Sequence, residues 1–317
     1  MTDTPPVDQS FLRKDLYGTH AEPTYSGTLS FMRRKLSRDF DGVDVAITGI
    51  PYDSATSNRP GTRFGPRGIR AASVQLAWNQ LDDWGFDVFD KLAVVDSGDC
   101  FFDTGWPDTI PESIEKHVTS IISHDIAALC FGGDHFISYP ILKAHAKKHG
   151  KLSLLHFDAH SDCWEDEEGH VDHGTMFYHA ANEGLIDPQR SVQVGLRTFC
   201  ENTPGFNVLN APWVHENGID AVIAEIKRVV GDNKCYLTFD IDCLDPSFAP
   251  GTGTPVIGGL STHQAQQILR GIAGINLIGM DLVEVSPAYD VGEITSLAGA
   301  SLALEMLYLY ASRLDGK

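Results

Sequence analysis

The chain has 317 residues, 42% of them hydrophobic, which is ample for a buried core of one or two domains. Asp and Glu number 43 against 24 Lys plus Arg, a formal net charge of −19, so the field repels nucleic acid and anionic membranes and attracts a small cation. The N-terminus has no basic stretch leading into an apolar one, no apolar run approaches the roughly 18 residues of a membrane span, and the six cysteines show no C-x-x-C pair or disulfide pattern. A cytoplasmic protein with free thiols is the expectation.

Residues 1–40 lack a long apolar period and read as an N-terminal arm, leaving residues 41–317 as one domain without linker or repeat. From Val43 onward, short β-branched runs alternate with amphipathic stretches. Strands are predicted at residues 44–50, 92–96, 127–131, 152–158, 191–195, 207–209, 235–241 and 276–285. Helices are predicted at 66–76, 111–123, 138–148, 174–182, 219–230, 261–272 and 297–312. Within 221–230 the apolar residues recur at i, i+3/i+4 and i+7. Strands alternating with helices predict an α/β fold, a mostly parallel sheet of about eight strands covered by helices on both faces. The run Leu152-Ser153-Leu154-Leu155-His156-Phe157 is almost wholly apolar, as a strand buried on both sides requires.

Open α/β sheets bind ligands beyond the carboxyl ends of their strands. Three such ends carry unusual residues: Gly132-Gly133-Asp134-His135, Asp158-Ala159-His160-Ser161-Asp162 and Asp240-Ile241-Asp242. Residues i, i+2 and i+4 of an extended segment project to one side, so Asp158, His160 and Asp162 can converge, as can Asp240 and Asp242. With His135 this makes four carboxylates and two imidazoles, a set that repels itself unless cations sit within it. One Asp after a strand is ordinarily a turn residue, but Asp-x-His-x-Asp and Asp-x-Asp on two strand ends are hard to explain that way. No thiolate is offered there, and the carboxylate-rich set suits two Mn2+ ions better than zinc. Such a pair lowers the pKa of a shared water, so a metal-bridging hydroxide is the expected nucleophile. His156 is left as a core residue, Asp134 as a partner of its neighbour and Asp245 as a turn residue.

These segments resemble the three signatures of the ureohydrolase family, which contains arginases, agmatinases and guanidino-acid hydrolases. The third is the run from Thr238 to Pro246, and residues 248–255 and Gly258-Gly259-Leu260 also match. The resemblance runs from about residue 45 to the C-terminus. Within the family it is nearest to the bacterial agmatinases, through Asp172-His173-Gly174-Thr175-Met176-Phe177, Leu76-Ala77-Trp78 and residues 183–188. It implies a three-layer α/β/α fold, a homotrimer or homohexamer, and metal-ligand roles for His135, Asp158, His160, Asp162, Asp240 and Asp242. It also implies that Glu284 binds a guanidinium and that His173 shuttles a proton to the leaving amine.

The reaction so implied is hydrolysis of agmatine to putrescine and urea. Residues 163–172 are acidic and hold no Lys or Arg, which favours an ammonium-ended substrate over a carboxylate-ended one. A guanidino-acid hydrolase with the same mechanism stays open, as do a zinc deacylase on the same fold and a non-catalytic oligomer.

Overall fold

In the computed structural model, which describes residues 8–20, 22–78, 82–165, 169–201 and 204–314, the β-branched runs form a nine-stranded sheet. Its strands are β1 (Lys35–Leu36), β2 (Val45–Ile50), β3 (Val94–Asp99), β4 (Ala127–Gly132) and β5 (Ser153–Phe157), followed by β6 (Val192–Val194), β7 (Asn207–Leu209), β8 (Cys235–Asp240) and β9 (Leu277–Val283). They lie in the order β1-β3-β2-β4-β9-β8-β5-β6-β7, and every pairing is parallel. All eight predicted strands form, with ends shifted by a few residues. The ninth, β1, is a two-residue edge strand too short to show a period.

The seven predicted helices form as α1 (Gly65–Ser73), α2 (Ile110–Ile122), α3 (Ser138–His149), α4 (Met176–Asn182), α5 (Ile219–Val230), α6 (Thr262–Gly271) and α7 (Ile294–Ser312). The period-2 alternation of the strands sorts them into two layers. Val45, Ile47, Leu129, Phe131, Leu237 and Phe239 pack with α1, α5, α6 and α7 on one face. Ala46, Ala128, Cys130, Leu154 and Tyr236 pack with α2, α3 and α4 on the other. The short helices Val88–Lys91 and Ala211–Asn217 lie outside the predicted set; each is capped by an Asp or Asn side chain that accepts from a backbone N–H in the first turn.

Among the described residues, helix α7 alone is long and apolar enough by composition to cross a membrane. Its residues are almost all buried among the core side chains of the first layer, which explains an all-round apolar helix without a bilayer. All six cysteines are free thiols, five of them buried.

The sheet order places the site. The chain leaves β4 and returns in β5, with β9 and β8 between them, so β4, β9, β8 and β5 are consecutive neighbours. Their carboxyl ends lead into His135, Glu284, Asp240 and Asp158, in that order across the sheet. This is the topological switch point where an open α/β sheet leaves a crevice.

Candidate active site

Gly132 and Gly133 make the first turn possible. A Cβ on Gly133 would stand 1.7 Å from the Tyr52 carbonyl oxygen, so the backbone passes there only without a side chain. The Gly133 carbonyl accepts from Glu284 N–H at 2.9 Å, and Glu284 Oε1 accepts from His135 N–H at 2.9 Å. The end of β4 is thus laced to the end of β9. Glu284 and Asp162 both adopt left-handed backbone, φ 64° and 52°, at a cost of about 1–2 kcal/mol for a residue with a side chain. Strain at two carboxylates of one crevice is the pattern expected where function over-determines the backbone.

His135 Nδ1 is buried and has no hydrogen-bond partner, yet it lies 3.0 Å from Asp158 Oδ2, 3.0 Å from Asp162 Oδ2 and 3.3 Å from Asp240 Oδ2. The other ring nitrogen explains why. Thr238 Oγ1 donates to Asp281 Oδ1 at 2.5 Å, so it accepts from His135 Nε2–H at 2.8 Å, which makes Nδ1 the nitrogen aimed at three carboxylates and the one a cation would take. Asp281 is itself held by Ser138 Oγ and Tyr236 OH, each at 2.8 Å. On the far side, His160 Nδ1 lies 3.1 Å from Asp242 Oδ2 and 3.3 Å from Asp158 Oδ1. Asp242 accepts from Ala159 N–H and Thr254 Oγ, and Asp240 Oδ1 accepts from Asp242 N–H.

All six residues picked out as metal ligands are therefore brought together. Two groups have ligand atoms within 4.8 Å of one another: His135, His156, Asp158 and Asp162 in one, Asp158, His160 and Asp242 in the other. Ligand bonds of about 2.1 Å at right angles put neighbouring donors about 3 Å apart, the spacing seen around His135 Nδ1. Electrostatics point the same way. Burial raises the Asp240 carboxyl well above its usual range, and the charges of Asp242 and Asp158 raise it further; burial and Asp158 also raise Asp162. Burial opposes charge on the imidazoles, but the carboxylates overcome it, holding His135 well above its usual value and His160 up to about 12. The chain alone balances this cluster with protons, which divalent cations would displace. Burial pushes the Cys163 and Cys243 thiols far up, so no thiolate competes as a soft ligand.

Above this floor, an open cleft of about 290 Å³ is lined by His160, Asp162, Asp240, His173, Trp164 and Asp172, among others. His173 Nδ1 lies 3.3 Å from Glu284 Oε1, while Glu284 Oε2 is buried without a partner. Burial would lower the His173 pKa, but the hydrogen bond and charge of Glu284 prevail and hold it up to about 9. Ser57 meets the other nitrogen twice: its N–H, 3.1 Å away, donates to a neutral Nε2, and its Oγ, 2.9 Å away, accepts from a protonated one. Both protonation states of His173 are thus held in place.

Several partners escaped the sequence reading. Asp134 Oδ2 accepts from Ala55 N–H at 2.8 Å and so anchors the loop that carries Ser57. Arg197 donates to the carbonyls of Asp242, Cys243 and Leu244 and fixes the turn after β8. Asp245 is the turn residue anticipated: both its oxygens accept from Ser247, Gly258 and Gly259, holding its carboxyl down at about 2 against the effect of burial. His156 contacts Asp158 rather than only the core. Of the acidic loop, Asp166, Glu167 and Glu168 lie outside the described residues; Trp164 and Asp172 flank Gly174 at the cleft.

A family model described as the arginase family matches residues 43–308. An agmatinase of Chromobacterium violaceum is 57% identical over 308 residues, covering 96% of each chain. The crystal structure of a hypothetical agmatinase from Burkholderia thailandensis superposes with TM-score 0.96 at 55% identity, covering 99% of this chain and 100% of that one. The proclavaminate amidino hydrolase of Streptomyces clavuligerus superposes at TM-score 0.85 and 38% identity, covering 92% and 100%.

Proposed function

The chain belongs to the arginase family, hydrolases that act on an amidine C–N bond, and on that premise we propose that it converts agmatine and water to putrescine and urea with two Mn2+ ions. The observation that carries the reading is the pair of acid-imidazole groups sharing Asp158, with the buried Glu284 beside them. His135, Asp158, Asp162 and Asp240 would hold one ion, and His160, Asp158, Asp240 and Asp242 the other. Bound cations of this kind supply a water ionised near neutral pH as nucleophile.

The chain's own residues do the rest. Glu284 has one oxygen free of any hydrogen bond, and a planar guanidinium is the cation best matched to a carboxylate. Agmatine docked on Glu284 takes over its negative charge, so the proton on His173 is held less tightly. His173, at the cleft wall, then gives that proton to the nitrogen of the departing diamine as the C–N bond breaks. The cleft wall around Trp164 and Asp172 has no Lys or Arg among its described lining residues, and it suits the ammonium at agmatine's other end.

In this reading residues 41–317 are the catalytic domain and 1–40 an arm. The protein works in the cytoplasm in polyamine synthesis. Exposed apolar side chains such as Phe101, Trp106 and Ile257 leave surface for assembly into a homotrimer or homohexamer. The test is urea release by Mn2+-loaded protein from agmatine, arginine, 4-guanidinobutyrate, 3-guanidinopropionate and guanidine in parallel. Agmatine should lead clearly. Preference for a guanidino acid would keep the reaction class and remove the argument from the cleft wall; no urea from any would remove the reaction.

A further inference from the structure

A histidine in the middle of the apolar strand β5 needs an explanation, because a Phe or Leu there would extend the core. His156 is fully buried, with the Phe177 ring 4.6 Å from its own, and it stands in register with Gln193 on the neighbouring strand β6. Gln193 Nε2 lies 2.8 Å from the Ser161 carbonyl oxygen and 3.0 Å from His156 Nδ1. A carbonyl only accepts and an amide nitrogen only donates, so the amide nitrogen is the donor to both, with Cys163 Sγ farther off at 3.9 Å. His156 Nδ1 is therefore the acceptor. The ring proton sits on Nε2, which lies 2.7 Å from Asp158 Oδ2.

Although His156 falls in the same group of potential ligands as His135, Asp158 and Asp162, its near nitrogen carries a proton and has no lone pair to offer. We propose that His156 is a positioning residue: held in the Nε2–H tautomer by Gln193, it fixes the rotation of the Asp158 carboxylate so that one side chain serves both metal groups. The two oxygens are pinned separately. Oδ2 takes the His156 proton and faces His135 Nδ1 at 3.0 Å; Oδ1 takes the His160 N–H at 2.6 Å and lies 3.3 Å from His160 Nδ1. Without the imidazole, only Oδ1 is held, and the broad terminal torsion of an Asp leaves the other oxygen free to swing. The reach of the device is long in sequence, since the residue that sets the tautomer is 37 positions from the one it controls.

This rests on the metal reading of the site, so the experiment separates the two. Metal-free protein is titrated calorimetrically with Mn2+ for the native chain and for His156→Phe, His156→Gln and Gln193→Leu. Each variant is checked for native folding by circular dichroism, and kcat and KM for agmatine are read at saturating Mn2+. The native chain should bind two ions. His156→Phe keeps ring volume, and should weaken Mn2+ binding about 10–100-fold, with kcat reduced and KM little changed. His156→Gln places an amide nitrogen near the lost Nε2–H and should recover most of the affinity. Gln193→Leu should fall between them. Native affinity and kcat in His156→Phe would overturn the proposal while leaving the metal reading intact; no Mn2+ bound by the native chain would overturn both. If His156→Phe fails to fold, unchanged affinity in Gln193→Leu overturns it.

Discussion

The floor of the cleft is made of strand ends, and its carboxylates, Asp158, Asp162, Asp240, Asp242 and Glu284, are buried and laced to one another's backbone. The rim is loop: Trp164, Asp172 and Ser57 are exposed, and Asp172 is held mainly by the N–H of Gly174. A buried charge acts through a low dielectric and has no solvent to replace a lost partner, whereas an exposed one is screened. In the proposed function the floor sets the reaction, and changes there should be severe; the rim selects the substrate's far end, and changes there should be mild.

The steepest expected loss follows Asp158→Ala, because that side chain belongs to both ligand groups. It should lower kcat/KM by on the order of 10³-fold or more, about 4 kcal/mol, and reduce Mn2+ stoichiometry below two per chain in metal analysis. Retention of both ions would break the assignment of Asp158 to the floor.

His173→Ala should come next, with two ions still bound and kcat down by about 10²–10³-fold. Its pH signature can be signed. The folded-state pKa is raised from the usual 6.5 to about 9, so the stabilisation from the His173–Glu284 pair is complete below about pH 6.5 and is lost as pH rises through about 9. The kcat/KM profile should fall through the same alkaline window, and that limb should vanish in His173→Ala. Glu284→Gln sharpens the point. Removing the charge should cost about 10–100-fold in kcat/KM and shift the alkaline limb to lower pH, since the group that holds His173 up is gone.

At the rim, Asp172→Asn keeps an acceptor for the Gly174 N–H and removes only charge. KM for agmatine should rise by about threefold, within the range of an exposed ion pair, and the effect should shrink as salt is added. A loss as large as that of His173→Ala would erase the distinction between rim and floor.

Legibility divides along the same line. The floor was readable because its information is local: i, i+2, i+4 spacing in Asp158, His160 and Asp162 follows from the strand period, and the eight longer strands announce themselves by short apolar runs between helical patterns. What escaped depends on long-range pairing. Nothing near His135 in sequence foretells that Thr238 and Asp281 select its tautomer, and nothing near His156 points to Gln193. A signal for His156 did exist, an imidazole in a buried strand two positions before Asp158 and on the same face, but burial alone does not separate a packed histidine from a working one. Strand β1, with two residues, has no period to read.

The central claim, that cations on the buried floor drive the hydrolysis, is tested most directly by measuring urea release from agmatine after exhaustive chelation and then during stepwise return of Mn2+. The account predicts no release from the chelated protein and recovery that is complete at two ions per chain. Urea release that survives complete removal of metal would contradict it.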